Sequence, residues 1–325
     1  MLHLWHSTET SLINSTDAIL SGFDESKLTA MVLLSMSKAF DSVSHEILLL
    51  KLKDVGTSNT FFRWFHSYLS DRQQVVKIKS TLSEPLPLCS GVPQGNILGP
   101  LLFSIYVNDL PAVPQKCISH SYVDDTKLQI SFKLQNKDIA VAEMNEDLRK
   151  ACNWCFRNYL LLNPDKSKLM VFGTRKMLAK LQDITLSLLG KDLLPSKTAK
   201  ELGLLLDPHL SYNNHIIKTV SSCISSLGQI NRVKHAFDRR TLLIVMNTLV
   251  FRILFYCSNV WANCSKLNIE KLQSVQNFAC RIVSGIRKYD HVTPELKRLC
   301  QLYYRNVLLA FKCMNGRAPE FHQTL

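Results

Sequence analysis

Two adjacent carboxylates, Asp124 and Asp125, stand in the short stretch SYVDDT at residues 121–126. Like charges side by side cost free energy unless a cation or solvent screens them, and hard carboxylate oxygens are the ligands that Mg²⁺ prefers. The pair therefore has two interpretations, a metal-binding site or an ordinary solvated acidic turn. Strand-forming residues flank it at 119–123 and 127–131, which predicts a β-hairpin with both carboxylates at its tip.

Other segments must form the scaffold that positions this tip. The glycine and proline content of residues 85–100 predicts a loop, and the pattern after about residue 208 is mostly helical. The order of elements indicates a mixed region of helices and strands at residues 1–207, followed by a helical region at residues 208–325. Residue patterns predict helices at 8–30, 45–52 (with Ser44 as N-cap), 60–69 and 138–160, and strands at 31–34, 74–79 and 168–172.

The net charge of the 325-residue chain is +13, with a pI near 9.3, and it is unevenly distributed. Residues 207–325 hold 16 Lys and Arg against six Asp and Glu. An excess of this kind favours a polyanionic partner such as nucleic acid, and a solvated basic surface on helices is the alternative.

Ten cysteines are scattered along the chain without the spacing of a disulfide framework or a zinc site. We interpret them as reduced intracellular thiols, and we expect the pair Cys152 and Cys155 to pack in a helix rather than bind metal. The N-terminus lacks the pattern of a signal peptide, and no apolar run reaches membrane-spanning length. The chain is therefore expected in the nucleus or cytoplasm, without a membrane partner.

A series of segments in fixed order resembles the reverse transcriptase of non-LTR (LINE-type) retrotransposons. The resemblance implies an α+β palm-type polymerase fold, an antiparallel sheet with packed helices and partial fingers, followed by a helical thumb. It also implies an RNA template, a DNA primer and deoxynucleoside triphosphates as partners. The segments are HSTETSLI from residue 6, SKAFDSV from 37, WFHSYLSDRQQVV from 64, GVPQGNILGPLLFSIYVNDLP from 91, YVDDT from 122, LGLLLDPHLSY from 202, YDHVTPELK from 289 and GRAPEF from 316.

The resemblance also assigns catalytic roles. Asp124 and Asp125 would bind two Mg²⁺ ions for nucleotidyl transfer, with Asp124 the firmer ligand. Lys166 lies in the region whose lysine is thought to protonate the leaving pyrophosphate, although a solvated loop lysine fits the sequence equally. The position of a third metal-binding carboxylate is occupied by Ser35.

Substrate contacts are implied in the same way. Phe40 would lie under the sugar of the incoming nucleotide, or else be a core aromatic. Gln94 and Gly95 would contact that nucleotide, although by itself their loop reads as a turn. Three further residues, which also suit an ordinary amphipathic helix, would contact nucleic acid: Trp64, Tyr68 and Arg72.

Two departures from the family pattern concern the site. Serine is a weak neutral ligand, so Ser35 removes one negative charge, and Asn96 replaces the small hydroxyl residue usual after PQG. We therefore expect a reverse transcriptase by family whose polymerisation is weak or absent in this copy. The alternatives are a non-catalytic nucleic-acid-binding remnant and a translated pseudogene product.

Overall fold

The computed structural model describes residues 7–287, 289–294 and 296. The chain divides into two compact units. Within the described residues, the first is Gly22–Ser196, and the second joins residues 7–21 with those from Lys197 onward. The C-terminal segments YDHVTPELK, in part, and GRAPEF lie outside the described residues.

Helices and strands are labelled in chain order. The helices are α1 (Thr8–Asp24), α2 (His45–Asp54), α3 (Asn59–Leu69), α4 (Leu98–Tyr106), α5 (Lys137–Arg157), α6 (Arg175–Lys180), α7 (Asn213–Val233), α8 (Arg239–Met246), α9 (Arg252–Leu254), α10 (Ser258–Trp261) and α11 (Lys266–Ser284). The strands are β1 (Leu28–Leu34), β2 (Met36–Ser37), β3 (Gln73–Gln74), β4 (Lys77–Ile78), β5 (Thr81–Leu82), β6 (Leu86–Pro87), β7 (Ile118–Tyr122), β8 (Asp125–Phe132), β9 (Leu161–Leu162), β10 (Lys168–Phe172), β11 (Leu186–Leu188), β12 (Lys191–Leu193), β13 (Ala199–Glu201) and β14 (Leu204–Leu206).

Four of the described strands form the antiparallel sheet of the first unit, in the order β10-β1-β8-β7. Strand β1 lies inside this sheet, paired with β10 and β8, and its side chains (LTAMVLL) are almost entirely buried. Leu34 pairs with Thr126 of β8, and Leu33 pairs with Lys168 of β10. This register fixes which residues meet where β1 ends.

The hydrophobic core of the first unit covers one face of the sheet. Helix α5 packs against β8, and α2 and α4 pack against each other within the same cluster. Cys152 and Cys155 are buried in this core, as their helical spacing predicted. Burial raises the pKa of the Cys155 thiol to about 12, so this thiol stays protonated and unreactive. All cysteines within the described residues are free thiols.

The predicted α+β class is confirmed, and several predicted elements need correction. The first helix ends at Asp24 rather than residue 30, because Ser26 is left-handed (φ 55°) and the chain from Leu28 pairs into the sheet. The single strand predicted at 74–79 is divided between β3 and β4, which belong to separate two-stranded ribbons. Ser44 is the N-cap of α2, as predicted, and its Oγ accepts a hydrogen bond from Ile47 N.

The second unit is mostly helical in its described part, with a short hairpin of β13 and β14. Helices α7 and α11 pack together, and the buried positions of α7 recur at helical spacing, as at Ile216, Cys223, Leu227 and Ile230. A π-helical turn at Asn247–Phe251 joins α8 to α9. None of the helices described is long and apolar enough to cross a membrane. The boundary at residue 207 stays a prediction.

Candidate active site

The β7–β8 hairpin carries the two adjacent aspartates. Tyr122 pairs with Asp125, so the turn between the strands consists of Val123 and Asp124, and Asp125 is the first residue of β8. Both carboxylates belong to exposed residues. Val123 is left-handed (φ 57°), a conformation that is unfavourable for a β-branched residue, and its side chain packs against the core.

Ser35 follows the last residue of β1. Continuing the β1–β8 register by one position places it opposite Asp125, and on its other side it contacts Asn163 and Ser167. Its main-chain N–H donates to Ser167 Oγ at 3.1 Å, and its carbonyl accepts from Asn163 N at 2.7 Å. The Ser35 position is therefore fixed by main-chain bonds, at the same end of the sheet as the aspartates.

The loop before β10 holds Lys166. Asn163 Oδ1 accepts hydrogen bonds from the main-chain N–H groups of Asp165 and Lys166, at 3.0 and 3.2 Å, which is the local pattern of an Asx turn. Lys166 is exposed. Lys166 thus lies on the loop that contacts Ser35 just after β1, and its exposed side chain also fits a solvated loop lysine.

His120 lies on β7, two residues before Tyr122 and therefore further from the hairpin tip than the aspartates. His120 pairs with Lys127 across the hairpin. Burial lowers the pKa of His120, and the nearby Lys127 charge lowers it further. The imidazole is therefore neutral at physiological pH and adds no positive charge beside the aspartates.

The side chains at this end of the sheet can be compared with the ligands that Mg²⁺ requires. Across the described part of the chain, no three His, Cys, Asp or Glu side chains come together as a metal-binding group. Asp124 and Asp125 supply hard, exposed oxygens of the type that Mg²⁺ prefers, and Ser35 adds a neutral hydroxyl at most. The residues fit a divalent cation, with one carboxylate fewer than a three-acid site.

The Gly/Pro loop and the SKAFD segment form one connected structure. Gly91 N donates to Val43 O at 2.8 Å, and Val92 N donates to Phe40 O at 2.9 Å. Gly91 has φ +89°, and a Cβ placed there would lie 3.0 Å from the Asp41 main chain, so the site requires glycine. The exposed side chain of Gln94 donates to Asp41 Oδ1 at 2.8 Å.

Phe40 packs partly in the core of the first unit. Its ring stacks on Phe103 with centroids 4.7 Å apart, which is core packing. The ring is only partly buried, however, and the main chain of Phe40 supports the loop that carries Gln94 and Gly95. These three predicted nucleotide contacts therefore share one region of the first unit.

The predicted nucleic-acid contacts, Trp64 and Tyr68 on helix α3 and Arg72 just after it, form a stack. Trp64 and Tyr68 stack with centroids 5.4 Å apart and ring planes within 10°, and the Arg72 guanidinium lies 5.0 Å from the Tyr68 centroid. Asn96 connects this stack to the Gln94 loop, since its Nδ2 donates to Tyr68 Oη at 2.9 Å and its Oδ1 accepts from Gly99 N. Replacing the usual hydroxyl residue by Asn96 thus provides a hydrogen bond between loop and helix.

Sequence reasoning missed the residues that hold these groups in place. Asn163 and Ser167 fix Ser35, and Asp41 fixes Gln94. The sequence did carry a signal for the first of these, because Asn-Pro-Asp at 163–165 is a strong turn signature. Nothing in the local sequence of Asp41 indicated that a loop fifty residues later would contact it.

Comparison with known proteins addresses the family. The family model described as reverse transcriptase (RNA-dependent DNA polymerase) matches residues 6–207. A curated relative, the "Probable RNA-directed DNA polymerase from transposon BS" of Drosophila melanogaster, is 32% identical over 295 residues, which cover 87% of this chain and 32% of the relative. The chain belongs to the reverse transcriptases of non-LTR retrotransposons.

Two further relatives of this reverse transcriptase also come from Drosophila melanogaster. It is 24% identical to the RNA-directed DNA polymerase from mobile element jockey of Drosophila melanogaster over 88% of its own length and 32% of the relative's. It is also 24% identical to the "Probable RNA-directed DNA polymerase from transposon X-element" of the same species, over 98% of its length and 35% of the relative's. The chain thus spans about a third of the length of these relatives.

Solved structures offer a more distant match for this reverse transcriptase. The telomerase of Candida albicans, solved with the TWJ fragment of telomeric RNA, has a TM-score of 0.41 and 14% sequence identity. The match covers 99% of this chain and 54% of that chain.

Proposed function

We propose that this reverse transcriptase chain has a palm-type catalytic region for RNA-directed DNA synthesis, and that this copy polymerises weakly or not at all. The proposal rests on one observation, the position of Ser35. If the β1–β8 register continues past Leu34, Ser35 lies opposite Asp125, and the family resemblance calls for a third acid at this position. The antiparallel sheet with α2, α4 and α5 in the core on one face supports the palm assignment, and residues 208–325 would form the thumb.

Asp124 and Asp125 are the proposed Mg²⁺ ligands of the chain. When bound, divalent cations would supply Lewis-acid activation of the primer 3′-oxygen and charge neutralisation at the triphosphate. The two exposed carboxylates at the hairpin would hold the cations. Lys166, on the loop fixed by Asn163, would deliver a proton toward the leaving pyrophosphate.

Serine at position 35 weakens this arrangement for an electrostatic reason. It offers no negative charge to offset the cations, so repulsion between cations and competition from water are greater. Loss of one well-placed electrostatic group commonly costs about 10²–10³ in rate, and a ligand shared between two metals should cost at least that.

We assign substrate binding to the Gln94 loop and to the aromatic stack at α3, which Asn96 connects. Gln94 and Gly95, on the loop bonded to Phe40 and Asp41, would contact the incoming deoxynucleoside triphosphate. The stack of Trp64, Tyr68 and Arg72 would contact the RNA template by base stacking and charge. A DNA primer and an intracellular location complete the proposal, the latter supported by the free thiols of the described chain.

A second candidate function is non-catalytic binding of nucleic acid. The charge of residues 207–325, with 16 basic against six acidic residues, favours it. Binding through this charge must weaken as salt rises, because bound cations are released from the nucleic acid. A filter-binding series on primer–template duplex tests it, and negligible affinity at low salt, or affinity unaffected by salt, would exclude it.

The polymerase proposal is tested by primer extension on an RNA template with Mg²⁺. The natural chain, Ser35→Asp and Ser35→Asn are compared, since Asn resembles Asp in shape and lacks its charge. We expect Ser35→Asp to raise the rate about 10²–10³-fold over the natural chain, and Ser35→Asn to leave it unchanged. Robust synthesis by the natural chain, or equal rates for the Asp and Asn variants, would contradict the proposed defect.

A further inference from the structure

A cavity of about 470 Å³ lies within the second unit, between the β13–β14 hairpin and helices α7 and α9. This volume is within the range of small-molecule sites and is sufficient for a mononucleotide. Three cationic side chains line it, those of Lys200, Lys218 and Arg252. Among the described residues, no Asp or Glu lines the cavity, and no ion pair engages these three cations. Three positive charges thus surround it without a compensating carboxylate.

Arg252 reaches this position immediately after the π-helical turn at Asn247–Phe251. A π turn adds one residue to a helical turn, which rotates the following residues by about 100° about the axis. Arg252, Ile253 and Tyr256, all beyond this turn, line the cavity. π turns inside helices are frequent at functional sites, so this irregularity is an independent indication of a ligand site.

Tyr256 gives the cavity a fixed aromatic wall. Its hydroxyl donates to Leu202 O at 2.6 Å, and a Cβ added at Gly203 would lie 3.0 Å from the Tyr256 ring, which shows how closely the ring lies against the hairpin. Leu205 and Ile253 add apolar lining beside it. A rigid aromatic ring next to a group of cations suits a ligand with a planar base and a phosphate.

His215 provides a neutral polar group to the same cavity. Burial, with a smaller effect of the Lys218 charge, lowers its pKa to about 4. Its Nδ1 lies 3.5 Å from Leu205 N, which acts as donor, so the neutral ring carries its proton on Nε2. With the hydroxyl of Ser222, which also lines the cavity, it adds hydrogen-bonding groups to the cationic lining.

We propose that this cavity binds a nucleotidyl phosphate, with Lys200, Lys218 and Arg252 around the phosphate and Tyr256 beside the base. A free nucleotide and the phosphorylated end of a nucleic-acid strand share this chemistry. The site lies wholly in the second unit and uses none of the residues of the hairpin tip. It therefore goes beyond the proposed polymerase function, and either proposal can fail while the other holds.

The test is isothermal titration calorimetry of the full chain with AMP, adenosine and inorganic phosphate. We expect AMP to bind at least roughly tenfold more tightly than adenosine, because only AMP has a phosphate that can accept charge-assisted hydrogen bonds from the three cations. Arg252→Ala and Lys218→Ala should each weaken AMP binding by roughly tenfold or more. The matched control is Lys266→Ala, which removes an exposed cation of α11 away from the cavity lining and should stay within about twofold.

The source of the phosphate is resolved by competition. Two short oligothymidylates compete with AMP, one with a 5′-phosphate and one with a 5′-hydroxyl. If only the phosphorylated form displaces AMP, the natural ligand is a strand end. If neither form displaces AMP, the ligand is a free nucleotide. Equal affinity for AMP and adenosine, or AMP binding unaffected in both alanine variants, would overturn the proposal. Far-ultraviolet circular dichroism checks that each variant folds. If Arg252→Ala is unfolded, the AMP affinities of Lys200→Ala and of the charge-retaining Arg252→Lys are compared with that of the natural chain instead.

Discussion

The main-chain N–H of Ser35 donates a hydrogen bond to Ser167 Oγ at 3.1 Å, and this bond fixes the end of β1 without using the Ser35 side chain. Ser167 Oγ in turn donates to Asn163 O at 2.8 Å, and Asn163 N donates back to Ser35 O. The ring of bonds holds the loop of Lys166 against the sheet. A carboxylate at position 35 can therefore be introduced without altering the bonds that position its backbone.

The two aspartates should contribute unequally to activity. In the Ser35→Asp background, we expect Asp124→Asn to lower primer extension by about 10²–10³-fold or more, because it removes a charge in the turn itself. Asp125→Asn should lower it less. The control is Asp165→Asn, an exposed aspartate that pairs with Lys191, which should stay within about twofold of its parent. Equal losses for Asp124→Asn and Asp165→Asn would show that the hairpin carboxylates have no special role.

The aromatic stack of α3 predicts a selective loss of RNA binding. Trp64→Ala should weaken binding of single-stranded RNA by about 1–3 kcal/mol, the usual value of a base stacked on an aromatic side chain. Phe61→Ala is the matched control, because Phe61 is an exposed aromatic of the same helix. Fluorescence anisotropy with a labelled RNA measures both. If Phe61→Ala weakens binding as much as Trp64→Ala, general hydrophobicity of the helix accounts for the effect.

The Gly/Pro loop predicts different stabilities for two glycine variants. Gly91 and Gly95 both have positive φ, so an alanine at either is expected to cost about 1–2 kcal/mol. At Gly91 the new Cβ would also meet the Asp41 main chain at 3.0 Å, whereas at Gly95 nothing lies within 4 Å. We therefore expect Gly91→Ala to lower the free energy of unfolding by at least about 1 kcal/mol more. Urea unfolding provides the comparison, and equal costs would show that the contact with Asp41 is easily relaxed.

Asp147 predicts a pH-dependent stability of the first unit. Its buried carboxylate accepts hydrogen bonds from the main-chain N–H groups of residues 115–117 and from Lys150. Burial by itself raises the pKa of Asp147, but the bonds from Cys117, Gln115, Lys116 and Lys150 more than offset it, and the pKa is lowered overall. The stabilisation is therefore present above the ordinary Asp pKa of about 3.9 and is lost as pH falls through the lowered value.

We expect Asp147→Asn to reduce the free energy of unfolding by about 2–4 kcal/mol at pH 7, with a smaller difference below about pH 4. Urea titrations of both chains at several pH values measure this. Asp138→Asn, which removes a carboxylate that is 95% exposed, is the control and should change little at any pH. A cost for Asp147→Asn that does not vary with pH would mean that lost packing, not the charge, is responsible.

The sequence predicted best where one local pattern decides the structure. Strand β10 was predicted at its observed bounds, and α3 and α5 within a few residues, because apolar periodicity fixes which side is buried. The end of α1 was wrong because helical periodicity continued past Asp24, whereas pairing of Leu28 with Phe132 on a distant strand determines the structure there. Long-range pairing of this kind leaves little trace in a local window.

The same distinction holds for the candidate site. Residue types and order identified the family, which the comparisons confirm. The sequence could not show that Asn96 would donate to Tyr68, or that Asp41 would hold Gln94, since these contacts join residues 28 and 53 positions apart. The roles of the site residues themselves stay predictions.

Val123 helps to determine how precisely the carboxylate of Asp124 is positioned. Its backbone is held in a conformation that costs about 1–3 kcal/mol, while its side chain packs against the core. The contact of Val123 with the core therefore holds the turn in place. The position of the adjacent Asp124 depends on this packing rather than on the backbone conformation that the turn residues would otherwise prefer. A change of volume among the core side chains, far from any substrate, would shift this carboxylate, so the precision of the hairpin tip depends on the hydrophobic interior beneath it.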